Sequence, residues 1–285
     1  MSQLLRRDMQ VESATHNFSI SDKEFYLFKS LIYEKAGISL SINKRQMVVS
    51  RLSKRMRQLN ITSFRKYHDL VTQKENLSEL QNTIDYLTTN ETYFFREPKH
   101  FEYLKDNIVS DMNSGTNFNV WSAASSTGEE AYSIAMVLAE KFGLHSDWKV
   151  FGTDVNSDVV NQAKQGLYPI AGSEKVSRDF LREYCLKGVR EQSGTMLMDS
   201  KIKRHVDFER LNLNDKWSEN ISDFDVVFLR NIMIYFNLET KQRLVDKIAD
   251  KIKPGGYLFI GHSETLNNVT NRFKIIRPSI CQKIE

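Results

Sequence analysis

The stretch Asn119-Val-Trp-Ser-Ala-Ala-Ser-Ser-Thr-Gly-Glu-Glu130 decides the fold. Asn119–Ala123 reads as a short strand, the next residues as a turn of small side chains, and the segment through Ala139 as a helix. Small residues let the backbone of such a turn approach a ligand closely, and the helix start offers unpaired amides. The pattern is not GxGxxG, because only Gly128 is present. A tight strand-to-helix turn without a ligand accounts for it equally well.

Downstream, Trp148–Thr153 (WKVFGT) reads as a second strand ending at Asp154, followed by a helix from about Ser157. An acid at a strand end can accept hydrogen bonds from both hydroxyls of a ribose, or can cap the following helix. Phe224–Leu229 is a third strand, Leu238–Ile252 a helix, Tyr257–Gly261 a fourth strand, and Phe273–Ile276 begins a last one. Lys253-Pro-Gly-Gly256 serves as the turn before the fourth strand. Strands alternating with helices predict a parallel, doubly wound sheet with its ligand at the carboxyl ends of the strands. Residues 167–210 are less regular, and about 186–207 is expected to be a small β insertion.

Upstream the character differs. Ser21-Asp-Lys-Glu24 has capping-box spacing, followed by Phe25, Phe28, Leu31 and Ile32 at helical intervals, with Gly37 as the stop. Lys44–Leu59, Ser63–Thr72 and Leu77–Leu87 continue the helical pattern. The expected organisation is a polar tail over 1–20, an all-helical domain over 21–88 and an α/β domain over 89–285.

The 285 residues carry 40 Lys+Arg and 36 Asp+Glu, a net charge of +4 too mild to imply a nucleic-acid partner. No apolar run reaches a membrane span, and the start of the chain lacks the features of a secretory signal. Two distant cysteines, Cys185 and Cys281, suggest neither a disulfide framework nor a metal site, which favours the cytoplasm.

Four segments carry a sharper resemblance: Thr88-Thr-Asn-Glu-Thr-Tyr-Phe-Phe-Arg-Glu97, Trp121–Glu130, Phe228-Leu-Arg-Asn-Ile-Met-Ile-Tyr-Phe236 and Gly261-His-Ser-Glu264. In order, and over roughly residues 20–285, they resemble the CheR family of chemotaxis receptor methyltransferases. The resemblance implies a class I S-adenosylmethionine methyltransferase-like doubly wound sheet. It implies transfer of a methyl group from S-adenosylmethionine to receptor glutamates, leaving S-adenosylhomocysteine. Carried over by motif, the cofactor contacts fall on Asn90, Thr92, Arg96, Glu129, Asp154, Asn212, Leu213, Arg230 and Asn231, and the active-site tyrosine on Tyr235. No metal is implied.

A glutamate acceptor, with a pKa near about 4.3, is already an anion at neutral pH, so the chemistry requires alignment and not a general base. Arg96 could hold the acceptor carboxylate and Tyr235 could orient donor or acceptor. Arg51, Lys54 and Arg55 share a helix face and are expected to dock the acidic methylation region of a chemoreceptor. Family members that also grip a receptor C-terminal peptide carry Gly-x-Gly in the insertion. Here the place reads Gly188-Val-Arg190, which speaks against that second contact. The protein is expected to act as a monomer. The other readings are a methyltransferase for another protein or a small molecule, and a non-catalytic cofactor-binding adaptor.

Overall fold

The computed structural model describes residues 18–113, 117–221 and 223–284. The expected polar tail, residues 1–20, lies mostly outside them. Four helices come first: α1 (Asp22–Ala36), α2 (Arg45–Gln58), α3 (Phe64–Val71) and α4 (Leu77–Leu87). The capping box forms as the sequence requires, with the Ser21 side chain accepting the Glu24 amide and Glu24 accepting the Ser21 amide. Gly37 ends α1 at φ +73°, a left-handed conformation natural to glycine. Phe25, Phe28, Val48, Leu52, Met56, Phe64 and Tyr67 are sealed between these helices.

A second cluster of elements follows. It comprises α5 (Lys99–Tyr103), β1 (Phe118–Ser122), α6 (Glu129–Phe142), β2 (Trp148–Asp154), α7 (Ser157–Gln165), β3 (Leu167–Pro169), α8 (Arg178–Tyr184), β4 (Cys185–Lys187), β5 (Thr195–Met198) and α9 (Ser200–Lys203). It is completed by β6 (Val206–Arg210), β7 (Phe224–Leu229), α10 (Leu238–Ala249), β8 (Ile252–Ile260), β9 (Phe273–Arg277) and β10 (Ile280–Lys283). Seven strands form one sheet in the order β6-β2-β1-β7-β8-β10-β9. The first five are mutually parallel, and β10 runs antiparallel to both β8 and β9. Winding proceeds from β1 outward through β2 and β6, then restarts on the other side with β7 and β8. The switch point therefore lies between the carboxyl ends of β1 and β7, where sheets of this kind bind ligands.

Four boundaries depart from the sequence reading. The strand expected over Tyr257–Gly261 begins at Ile252, so Lys253–Gly256 lies within β8, beside a register shift, and not in a turn before it. The insertion is a three-stranded sheet, β3-β5-β4, that begins at Leu167 and ends at Met198, not one spanning 186–207. Val206–Arg210 is instead the edge of the main sheet, paired with Val150–Asp154. Its charged residues hid it: an edge strand exposes alternate positions, and only Val206 and Phe208 are buried. The final segment is a hairpin of two strands, with the second inserted between β8 and β9.

The helical domain is not a separate globule in packing terms. One apolar cluster runs from Phe28 and Met56 through Trp121, Trp217, Phe236 and Val245, joining α1–α3 to one face of the sheet. The other face is covered by α6, α7 and the insertion.

Candidate functional site

The cleft at the switch point encloses about 300 Å3. One wall is the turn after β1. Gly128 sits at φ +94°, and a Cβ there would come within 2.8 Å of Ala163 Cβ, so only glycine lets α6 start this close to α7. The Ser126 amide donates to Asp154 Oδ2 at 2.9 Å, and the Asn156 amide donates to Oδ1 at 3.0 Å. Asp154 is thus fixed at the end of β2, where it lines the cleft. Burial raises its carboxyl above the usual range although these amides favour the anion.

The second wall is Thr88–Arg96, the connection between α4 and α5. Its start is anchored to the helical domain and to the sheet: Arg51 donates to the Thr88 carbonyl at 2.6 Å, and the Asn156 amide group donates to Thr88 Oγ1 at 2.8 Å. The Ser126 hydroxyl reaches the Asn90 carbonyl at 3.1 Å. Arg96 lines the cleft, donates to the Glu91 carbonyl at 2.6 Å and lies 5.8 Å from the Tyr93 ring centroid. Among the described residues no carboxylate pairs with Arg96; its sequence neighbour Glu97 is taken by Arg230 instead.

Arg230, at the end of β7, is the centre of a buried cluster. Its side chain is 1% exposed, with Glu130 Oε2 at 2.8 Å, Glu97 Oε2 at 3.0 Å and the Arg96 carbonyl at 2.5 Å. Two carboxylates against one guanidinium offset the cost of burying the charge. Asn231 follows at φ +58°, a strained setting for a non-glycine residue, and Tyr235 completes the turn. Tyr235 lines the cleft, its hydroxyl has no hydrogen-bond partner among the described residues, and its carbonyl accepts the Ser39 amide at 2.7 Å.

The fold therefore brings Asn90, Thr92, Arg96, Asp154, Arg230, Asn231 and Tyr235 to one cleft. It does not bring Glu129, Asn212 or Leu213 into the lining. Adjacent helical positions point about 100° apart, and here Glu130 takes the cleft side while Glu129 accepts the Thr127 hydroxyl at 2.6 Å. Burial raises the Glu129 carboxyl. Asn212 spends its side-chain amide on the Lys35 carbonyl at 2.5 Å. Leu213 is buried at the junction with the helical domain. Both stay near the cleft because the Leu211 amide bonds the Asp154 carbonyl at 2.9 Å.

The expected docking face is narrowed in the same way. Arg51 is committed to the Tyr86 and Thr88 carbonyls, and Arg55 is clamped on Glu79 with Nε at 2.9 Å and Nη2 at 2.6 Å. Lys54 remains exposed, with no ion-pair partner among the described residues. Sequence reasoning also missed the contribution of the helical domain to the cleft: Ile38–Ser41, Lys44 and Met47 line it. Ile38-Ser-Leu-Ser41 has no signature that separates it from an ordinary loop.

Among the described residues no histidine or cysteine lines this cleft. Its chemistry is that of a holder: a carboxylate at a strand end suited to a ribose diol, a turn of small residues with Ala124 and Ser126 on the lining, and a guanidinium without a counter-ion among the described residues. A nucleoside fits the first two, and the guanidinium is left for a carboxylate.

Comparison with known proteins agrees with the geometry. Residues 90–281 match the family described as "CheR methyltransferase, SAM binding domain", and residues 23–88 match "CheR methyltransferase, all-alpha domain". The chain is 39% identical to a chemotaxis protein methyltransferase of Escherichia coli K12, over 92% of this chain and 91% of that one. It is 36% identical to the Salmonella typhimurium protein of that name, over 92% and 90%. It is 32% identical to chemotaxis protein methyltransferase 2 of Pseudomonas aeruginosa, over 92% and 94%. Among the described residues no helix is long and apolar enough to cross a membrane.

Proposed function

This chain belongs to the CheR methyltransferase family and uses S-adenosylmethionine, and on that premise we propose that its acceptors are glutamate side chains in the cytoplasmic methylation region of chemoreceptors. The observation that carries the reading is that Arg96, which has no carboxylate partner among the described residues, lines the same cleft as Tyr235 and Asp154.

Bound S-adenosylmethionine supplies an electrophilic methyl group on a sulfonium. With it held there, an acceptor carboxylate oxygen would form the new bond to that carbon as the bond to sulfur broke with its electron pair, giving a methyl ester and S-adenosylhomocysteine. No proton moves, which suits a cleft without histidine. Asp154 would hold the ribose hydroxyls, and Asn90, Thr92, Ala124 and Ser126 would flank the nucleoside. Arg230 contributes mainly as a structural post, because both of its charged partners belong to the chain. Arg96 receives the acceptor carboxylate, and Tyr235 orients it from the opposite wall. The low-dielectric cleft strengthens the Arg96 contact and strips water from the nucleophile.

The deciding experiment is transfer of labelled methyl from S-adenosylmethionine to membranes bearing chemoreceptors, followed by mild alkali. Label released as methanol identifies carboxyl esters. Alkali-stable label would place the methyl group on another atom and overturn the assignment of the acceptor.

A further inference from the structure

At the back of the cleft wall, Glu97, His100 and His262 bring one carboxylate oxygen and two imidazole nitrogens within 4.8 Å of one another, the one such trio among the described residues. Glu97 Oε2 lies 3.5 Å from His100 Nδ1 and 3.8 Å from His262 Nε2. Ligands bound tetrahedrally at about 2.0–2.1 Å stand roughly 3.3–3.4 Å apart, so small side-chain movements convert this spacing into a coordination shell. A second observation is independent of the spacing. His100 is 1% exposed, yet neither of its ring nitrogens makes a hydrogen bond. Buried polar atoms are seldom left so, and two on one ring mark a missing partner.

We propose that Glu97, His100 and His262 form a binding site for Zn2+. Two imidazoles and one carboxylate are a donor set that suits this ion, and His262, half exposed at the end of β8, leaves a coordination position open to water. Arg230 does not exclude the cation. Its contact with Glu97 Oε2 at 3.0 Å is an ion pair without a hydrogen bond, so the lone pairs of that buried oxygen stay open, and Glu130 balances its charge. The backbone is already set for the task, with Glu97 held at φ +58° and its Oε1 accepting the Asn231 side-chain amide and the His262 backbone amide, each at 3.3 Å. An ion here would stiffen the contacts through which Glu97 holds Arg230 and Asn231, both of which line the cofactor cleft.

The test uses the tag-free full chain stripped by a chelator, titrated with Zn2+ by calorimetry and with Co2+ while the visible spectrum is recorded. The expected result is one equivalent of Zn2+ bound, and intense tetrahedral absorption bands for Co2+. His262→Ala, an exposed position, should weaken both by at least about tenfold while the metal-free protein melts at an unchanged temperature. Glu97→Gln, its fold checked by the same melt, should do likewise. Absence of saturable binding would overturn the proposal, and so would binding of equal strength in native protein and His262→Ala.

Discussion

Glu264, just beyond β8, holds the turn that carries Asn231: its Oε2 accepts the Asn231 amide at 3.0 Å and the Gly261 amide at 2.6 Å, and its Oε1 accepts the Ile234 amide at 3.3 Å. The approach is so close that a Cβ on Gly261 would stand 2.6 Å from Asn231 Nδ2. Two segments 33 residues apart are therefore one structural unit, and the strained backbone of Asn231 is maintained from β8. Glu264→Ala should leave three amides without their acceptor. At about 1–3 kcal/mol for each buried group unsatisfied, cofactor affinity should fall at least about tenfold. Calorimetry with S-adenosylhomocysteine measures this; native affinity in the variant would refute the link.

Arg55 and Lys54 are adjacent in sequence and should behave oppositely. Burial pushes the Glu79 carboxyl up, but bonds from Arg55, Tyr67 and Asn82 hold it below the usual range. Arg55→Ala removes the main cation from this cluster and should cost about 1–3 kcal/mol of stability, seen as a lower melting temperature. Lys54→Glu should leave melting unchanged and slow receptor methylation, with the deficit shrinking as salt is raised. A Lys54→Glu protein that methylates receptors at the native rate in low salt would remove α2 from the docking surface.

Arg96 and Tyr235 separate into acceptor binding and alignment. Arg96→Ala should reduce receptor methylation about a hundredfold or more, as expected when a charge-assisted contact made in the transition state is lost. Affinity for S-adenosylhomocysteine should change far less. Tyr235→Phe keeps the ring packing and removes only the hydroxyl, so a drop in kcat with little change in KM is expected. Full activity in Tyr235→Phe would eliminate the hydroxyl's part.

Acid should weaken cofactor binding earlier than an ordinary aspartate would allow. Burial raises the Asp154 carboxyl, and its protonated form accepts fewer hydrogen bonds from a ribose. Affinity for S-adenosylhomocysteine, followed from about pH 8 to about pH 4, should therefore decline before the ordinary aspartate pKa is reached. Stability runs the other way. A carboxyl raised in the folded state contributes stability that is full below its unfolded pKa and is lost as pH rises through the folded value. Asp154→Asn should bind weakly at every pH and lose this dependence; a pH profile shared by native protein and variant would assign the effect to another group.

The sequence alone determined the helical start of the chain, the alternation of strands and helices, and the small-residue turn that leads to Asp154. Those features rest on local rules: capping, periodicity and the freedom of glycine act within a few residues. Motifs placed Arg96, Arg230, Asn231 and Tyr235 on the site, and the fold does gather them in one cleft. What only tertiary structure decided is which neighbour of a pair faces inward and which charges are already spent. Glu130 and not Glu129 lines the cleft because adjacent helix positions diverge by about 100°. Arg55 is consumed by Glu79 and Lys54 is not, since Glu79 lies on another helix, 24 residues away. The edge strand Val206–Arg210, the loop Ile38–Ser41 over the cofactor cleft, and the meeting of Glu97 with His262 depend on contacts between distant segments. Such contacts follow from how the layers pack, and no local pattern encodes them.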